Sequence, residues 1–391
     1  MNMKVMIVHN SYQVSGGEDA VFENEMKALA EKAKVISVEI DNNSISGFFS
    51  KIVVATEAVF SFRMYFRFKR LLKKNRPDIV HVHNYFPRIS PAIFYAANNL
   101  GIPIVHTLHN FRAICPTATL SLDGQIVDRS IHTSSIWTVP ARVYRKSIVG
   151  TSFLVLMVEF HKFVGTWRKQ VDGYIALTEF SRDIYVKAGW PREKIFVKPN
   201  FCVDPGECTN TRERYALYIG RLSEEKGITF ILDSFTESKL PLKIAGDGPL
   251  QDSVVNRSEG AIEYLGSLDS SSVSHHMSRA SCLVMASTWY EGFPMVIVEA
   301  LAHGLPVVVP NLGNMAAVVK DGVTGLHYDP KNVDSFKDTV GRILGDISFR
   351  DHLSSNARQE YLELYSESKN REQLLSIYQK VIDVHAKARA E

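Results

Sequence analysis

Short, continuously apolar runs, each followed by a helical pattern, recur twice along this 391-residue chain, and no other feature limits its fold so strongly. In the first series the apolar runs are Lys4–His9, Val35–Ile40, Ile79–His83, Ile104–His109, Gly173–Leu177 and Ile195–Val197. Amphipathic segments such as Asp19–Lys32 and Pro91–Leu100 lie between them. In the second series the runs are Tyr215–Gly220, Leu242–Ala245, Ile262–Leu265, Cys282–Met285 and Pro306–Val309, alternating with Ile228–Glu237, Leu250–Arg257 and Pro294–Ala302. Strands that are apolar on both faces and alternate with helices predict parallel sheets covered on both sides. The polar stretch Asp204 to Arg214, with its Asp204-Pro205-Gly206 turn signal, separates the series. The expectation is therefore α/β, with two doubly wound, Rossmann-like domains facing a central cleft. They are expected at residues 1–204 and 205–369, followed by a C-terminal helix at 370–391. Helical pattern is also read over Asp351–Tyr365. Ligands of such sheets bind beyond the carboxyl ends of the strands.

Charge supports the division. Residues 1–204 carry 26 Lys and Arg against 17 Asp and Glu, whereas residues 205–391 carry 19 against 25, so the net +3 conceals a basic half and an acidic half. Such asymmetry predicts two domains with different partners. Cys115, Cys202, Cys208 and Cys282 form no Cys-x-x-Cys pair, which argues against zinc and dithiol chemistry and suits a reducing compartment. Met1 to Asn10 reads as a strand and lacks the architecture of a secretory leader. The apolar stretch Ile148–Val158 falls short of the roughly 20 residues that span a bilayer. A cytoplasmic protein is expected.

The motifs sit where strands end. Glu291-Gly-Phe-Pro-Met-Val-Ile-Val-Glu299 carries a proline suited to a first helical turn. The amides of Phe293, Met295 and Val296 would then face outward as an anion site, with a carboxylate beside them able to orient sugar hydroxyls. Gly220-Arg-Leu-Ser-Glu-Glu-Lys-Gly227 follows a predicted strand. Arg221 offers a fork for phosphate oxygens and Lys226 a point charge; together they would stabilise a departing diphosphate. Ser15-Gly-Gly-Glu18 lies between the first strand and the first helix, where Gly16 and Gly17 would let a bulky ligand approach the backbone. Gly246-Asp-Gly-Pro249 lacks the third glycine of a dinucleotide fingerprint. Neither a Walker A sequence nor an Asp-x-Asp motif occurs. His81, His83, His106 and His109 cluster at predicted strand ends without the spacing of a metal motif. His109 is the stronger candidate for a substrate contact, His81 and His83 the weaker ones.

Taken together and in this order, the Gly16-Gly17 loop, Thr107-Leu-His-Asn110, Gly220–Gly227 and Glu291–Glu299 resemble family 4 retaining glycosyltransferases with the GT-B fold, over nearly the whole chain. The resemblance implies that Arg221 and Lys226 hold the donor diphosphate and that Glu299 binds the ribose hydroxyls. It further implies that Glu291, with the backbone of Phe293, Pro294 and Met295, faces the donor sugar and phosphate. Leu268 would lie against the base, Gly17 and Gly16 would approach the donor, and His109 would stand near the anomeric centre. The C-terminal helix would pack back on the first domain. A nucleotide-sugar is implied as co-substrate, with no metal and no other cofactor. The implied acceptor is a glycan or a lipid-linked glycan, and surface polysaccharide such as lipopolysaccharide or capsule is the implied pathway. Asn200-Phe201 stands where the family often has Asn-Gly, and Cys115–Ile131 is too irregular for acceptor residues to be carried over.

The run from Phe60 to Arg76 mixes aromatic residues with Arg63, Arg67, Lys69, Arg70, Lys73, Lys74 and Arg76, and Arg142–Lys169 joins basic residues to an apolar run. Both suit peripheral contact with the anionic inner face of a membrane. No nucleic-acid module is recognised. Two alternatives stay open from the sequence: a GT-B nucleotide-sugar epimerase, and a non-catalytic glycan- or nucleotide-binding protein.

Overall fold

A computed structural model describes residues 3–11, 16–42, 48–206 and 211–390; the side chains of residues 48–53 are not described. Ser15, Cys208 and part of the polar stretch after Asp204 lie outside the described residues. The strands, in chain order, are β1 (Lys4–Asn10), β2 (Lys34–Ile40), β3 (Ile79–Val82), β4 (Ile104–Leu108), β5 (Ser121–Leu122), β6 (Gln125–Ile126), β7 (Gly173–Ala176), β8 (Ile195–Val197), β9 (Ala216–Ile219), β10 (Leu242–Ala245), β11 (Ile262–Gly266), β12 (Cys282–Val284), β13 (Val307–Pro310) and β14 (Gly325–Tyr328). They build a six-stranded parallel sheet ordered β2-β1-β3-β4-β7-β8, a second ordered β11-β10-β9-β12-β13-β14, and a β5-β6 pair inside the irregular Cys115–Ile131 segment. Strand order reverses between β1 and β3 in the first sheet and between β9 and β12 in the second, the points where such sheets bind ligands.

The chain divides into two compact units. The first comprises Met1–Leu122, Val127–Asn200 and Asn370–Glu391; the second comprises Asp123–Ile126 and Phe201–Lys369. The division falls at Asn200, four residues before the expected 204, because Cys202 packs in the second unit's core and its carbonyl accepts from the Tyr361 hydroxyl at 3.1 Å.

The apolar runs form strands because their side chains are buried on both faces. Along β9, Ala216 and Tyr218 join a cluster with Leu232, Phe235, Ile244 and Phe336, while Leu217 points to the opposite cluster with Ile297, Leu301 and Val318. That is the period-two alternation of a strand covered twice. β14 escaped the sequence reading because Gly325-Leu-His-Tyr328 is short and mixed in polarity; it pairs with β13, Val307 opposite Gly325. Helix bounds shift slightly. Pro294 is the cap of the helix Met295–Ala302 rather than its first-turn residue. The segment read as Asp351–Tyr365 starts at Ile347 and passes into a π-helical turn at Tyr361–Tyr365.

The last helix, Glu367–Ala390, buries Asn370, Leu374, Ile377, Tyr378 and Val381, a stripe at helical spacing. Leu374, Ile377, Tyr378 and Val381 pack with Val5, Ile7, Phe22 and Ile175 of the first unit. The fit is close at Gly173, where a Cβ would lie 2.7 Å from Val381 Cγ2. Overpacking of this kind costs about 1–3 kcal/mol. Gly173→Ala should therefore lower the unfolding free energy of the first unit by that amount, and Val381→Ala should recover part of the loss in a double-mutant cycle read by chemical denaturation.

Candidate active site

In the second unit the site grows from the ends of β9 and β12. After β9 the chain enters Gly220–Gly227 with Leu222 fully buried as its anchor and Arg221 exposed. Gly246-Asp-Gly248 supports this loop from below: the Gly220 amide donates to Ala245 O at 3.1 Å, and the Leu222 amide to Asp247 O at 2.6 Å. Gly246 takes φ +138°, and a Cβ there would stand 1.9 Å from Gly220 O, so two backbones touch where only glycine fits. The segment that resembles an incomplete dinucleotide fingerprint is thus the prop of the Arg221 loop.

Lys226 Nζ lies 2.7 Å from Glu291 Oε1, and the Ser287 hydroxyl donates to the same oxygen at 2.6 Å. The Thr288 amide reaches Glu225 O at 3.0 Å, tying the two loops together. Asn314 Nδ2 donates to Glu291 O and Gly292 O at 2.5 and 2.7 Å, which fixes the approach to the helix Met295–Ala302. Among the described residues no protein acceptor is found for the Phe293, Met295 and Val296 amides. The first turn of a helix leaves such donors for an anion. Glu299, on the same helix, is partly buried with no side-chain hydrogen bond among the described residues, and burial pushes its carboxyl above the ordinary range. Leu268, half-buried, follows β11 just before the Asp269 cap of the next helix. Arg221, Lys226 and Glu291 are therefore gathered beyond the switch point of the second sheet, with Glu299 on the helix that follows.

In the first unit Gly16, Gly17 and His109 lie beyond β1 and β4. Asp19 Oδ2 accepts from the Gly16 amide at 2.8 Å while its other oxygen meets His9 Nε2 at 2.8 Å. Asn110 Nδ2 donates to Glu18 Oε1 at 2.9 Å, so the two motifs are joined by their neighbours. A Cβ at Gly16 or Gly17 would meet none of the described residues within 4 Å. His109, only 7% exposed, lines a pocket with Glu18, His83, Asn84, Asn110 and Tyr185. Arg112 stacks over Phe86 at the same pocket, and its buried Nη1 has no protein partner.

Sequence reasoning missed what stands behind His109. His83 Nδ1 is 3.1 Å from His109 Nε2, and His83 Nε2 faces Glu25 Oε2 at 3.4 Å. Glu25 Oε1 is paired with Lys198. His81 is spent elsewhere, bonded to the Tyr378 hydroxyl and to Thr107 Oγ1, both at 2.7 Å. Glu25, His81 and His83 lie close enough to suggest a metal, but both nitrogens of His81 and one oxygen of Glu25 already have partners, so the cluster is a hydrogen-bonded network. Burial alone would raise the Glu25 carboxyl; Lys198 beside it and His83 hold it well below the usual range. Burial first, then His83, lowers His109. A signal for Glu25 existed: it falls on the apolar stripe Val21, Phe22, Ala28, Leu29 of the helix Gly17–Ala30, where a charge is out of place.

Two doubly wound α/β units, each with its polar residues beyond the switch point of its sheet, are the architecture of the GT-B fold. The family model described as Glycosyl transferases group 1 matches residues 206–360, and that described as Glycosyltransferase Family 4 matches residues 45–204. The chain belongs to this family of transferases. The uncharacterised glycosyltransferase MJ1607 of Methanocaldococcus jannaschii is 30% identical over 175 residues, 42% of this chain and 45% of that one. O-antigen chain mannosyltransferase B of Escherichia coli is 29% identical over 203 residues, 45% of this chain and 52% of that one. The matches thus span about half the length of these curated relatives. The crystal structure of HepE from Anabaena in complex with UDP shares the fold with a TM-score of 0.70 at 16% identity, over 97% of this chain and 100% of that one.

His106, at the pocket, shows how burial sets acid sensitivity. Burial lowers its imidazole from 6.5 to about 4, against a hydrogen bond to Val82 O that pulls the other way. Because the folded state binds this proton at lower pH than the unfolded chain does, the contribution is complete above 6.5 and is lost as pH falls towards 4. The shift is worth about 3 kcal/mol. Between pH 6.5 and 4 the unfolding free energy of the wild type should therefore fall more steeply than that of His106→Gln, the difference approaching this amount in denaturant titrations at fixed pH.

Proposed function

We propose that the chain is a retaining glycosyltransferase that moves a sugar from a nucleotide-diphosphate donor to a glycan or lipid-linked acceptor in surface polysaccharide synthesis. The observation that carries the reading is the Lys226–Glu291 pair at 2.7 Å beside a helix start whose amides lack acceptors among the described residues. A cation, a carboxylate and an anion-binding helix end at one place suit a diphosphate bonded to a sugar. Membership of the family supports it, as do a fold neighbour solved with UDP and a relative named for O-antigen mannosyl transfer.

In this reading Arg221 and Lys226 meet the diphosphate and stabilise the charge that accumulates as the glycosidic bond to phosphate breaks. The amides of Phe293 and Met295, with Pro294 fixing the chain between them, receive phosphate oxygens, and Glu291 orients sugar hydroxyls. Glu299 accepts the ribose hydroxyls; a partly buried carboxylate without a protein partner suits that part. Leu268 gives an apolar surface to the base. Gly16 and Gly17 leave room for the donor, and His109 contacts the transferred sugar. The donor phosphate takes the acceptor's proton on the face where the new bond forms, which retains configuration. No metal enters the reaction, since the two side-chain cations do its electrostatic work.

Turnover should be detectable with one member of a nucleotide-sugar panel in the presence of acceptor glycans, and should persist in chelator. Lys226→Ala should lower kcat by about 10²–10³, the scale of about 2.7–4 kcal/mol for a lost charge-stabilising contact. Near-normal turnover of that variant would overturn the assignment. A product formed without acceptor would point to an epimerase instead.

We also assign the first unit to peripheral contact with an anionic membrane. The helix Phe62–Asn75 buries Met64, Phe68 and Leu72 and leaves Phe62 and Phe66 71% and 61% exposed. Arg63, Arg67, Arg70, Lys73 and Lys74 are exposed on the same helix. The helix Ile148–Val164 adds Leu156, Phe160 and Phe163, the last 90% exposed, and its His161 bonds to Val59 O just before the edge-to-face Phe60–Phe62 pair. Apolar rings beside exposed basic groups suit the headgroup boundary. Among the described residues no helix is long and apolar enough to cross a membrane. The protein should float with phosphatidylglycerol vesicles at low salt, and replacing Phe62, Phe66 and Phe163 by Ser should abolish flotation; a wild type that stays with the soluble fraction would remove this assignment.

A further inference from the structure

We propose that Glu25 and His83 are positioning residues that fix His109 in the tautomer with a proton on Nε2 and a lone pair on Nδ1, making it a hydrogen-bond acceptor for a substrate hydroxyl. The proposal deepens the glycosyltransferase reading and rests on it for the substrate class, a sugar hydroxyl.

The chain of atoms runs inward from the pocket. His109 lines that pocket, and its Nδ1 has no protein partner among the described residues. Its Nε2 meets His83 Nδ1 at 3.1 Å, so one of these two nitrogens must donate and the other accept. His83 Nε2 faces Glu25 Oε2 at 3.4 Å, a long contact, and neither atom makes a hydrogen bond to any other group among the described residues. Two lone pairs aimed at one another in a dry core repel, so the His83 proton belongs on Nε2, towards the carboxylate. His83 Nδ1 is then the acceptor, His109 Nε2 the donor, and His109 Nδ1 is left with a lone pair.

Charge balance in this core favours one proton on His83 over two. Lys198, with no exposure of its side chain, already balances Glu25. A second proton on His83 would add an uncompensated charge to a core that also holds His81 and Lys198. The other titratable and charged groups near His109 are His9 on β1, His106 on β4, Glu25 on the helix Gly17–Ala30, and Glu18, Arg112 and Tyr185 at the pocket, and burial keeps His109 itself uncharged at neutral pH. His81 cannot take over the relay, because both its nitrogens are bonded to Tyr378 and Thr107. Ring packing holds the geometry: His81 and His83 lie 4.2 Å apart by centroids, and His83 and His109 stack at 5.3 Å. Second groups that fix an imidazole tautomer commonly decide what its other nitrogen can do.

The test reads the tautomer directly. In the intact protein labelled with ¹⁵N-histidine, His109 should show a protonated Nε2 and an unprotonated Nδ1 at neutral pH; a protonated Nδ1 overturns the proposal without any variant. Two variants then test the role. His83→Phe keeps a ring in the stack and leaves the Glu25–Lys198 pair intact. Glu25→Gln combined with Lys198→Met removes both buried charges together. Each should mix the tautomers of His109 and lower kcat at least tenfold, with KM for the nucleotide-sugar unchanged within about twofold. A kcat unchanged in a folded variant, or a loss confined to KM, overturns the positioning role. Failure of the wild type to transfer any sugar would overturn the functional reading instead, while the labelled spectrum would still decide the tautomer.

Discussion

One buried ion pair organises the first unit. Lys198 and Glu25 have side chains 0% and 1% exposed, and they join the end of β8 to the helix that follows β1. Two charges taken out of water stabilise a fold little against an apolar alternative, but either one left alone would cost about 3–5 kcal/mol. The pair therefore acts as a specification: β8 and the first helix must meet in one register or not at all. Its neighbours inherit that register. Pro199 O accepts from Asn370 Nδ2 at 2.7 Å, so the point where the chain leaves the unit is tied to the point where it returns. From Asn370 onward the last helix seats Tyr378 on His81 and Val381 on Gly173. The free oxygen of Glu25 faces His83, and through it the ion pair reaches the pocket.

The second unit solves the same problem with backbone rather than buried charge. The Arg221 loop rests on Gly246–Gly248, and the Glu291 loop is held by Asn314 through two carbonyls. The Lys226–Glu291 pair closes the space between the loops but stays partly exposed, with side chains 25% and 11% accessible. An exposed pair contributes little to stability. These two charges sit where a ligand can reach them, whereas Lys198 and Glu25 do not. The difference in burial separates a pair kept for register from a pair available for chemistry.

Periodicity made the sheets legible because strands buried on both faces cannot hide. Val5–Val8, Leu217 and Val307–Val309 are apolar whatever precedes them. Helix ends were less visible, since Pro294 is compatible with both a cap and a first turn, and backbone angles decide. The polar residues divide by how they work. Arg221, Lys226, Glu291 and His109 stand in local motifs at strand ends, so spacing alone draws attention to them. Glu25 and Lys198 are single residues brought together across 173 positions of chain, as Tyr378 is brought to His81 across 297. No local pattern marks Lys198 in Phe-Val-Lys-Pro, and only its partner shows that it is buried. Asn314 was missed for the same reason: its task is to bind carbonyls of a loop 22 residues away.

The glycines differ in what the fold demands of them. At Gly246 the φ angle is positive and a Cβ would collide with a carbonyl; at Gly325 a Cβ would come within 2.0 Å of Val307 O. Both are required by neighbouring backbone, and any sequence with this sheet has to meet them. Gly16 and Gly17 are the reverse case. Gly16 is extended at φ −139°, Gly17 begins a helix, and a Cβ on either would enter open space. Nothing in the described chain calls for glycine there: Gly17 is the first residue of its helix, and neither position takes a positive φ. The described residues thus make no steric demand for glycine beside the amide that Asp19 holds, which sets this pair apart from Gly246 and Gly325.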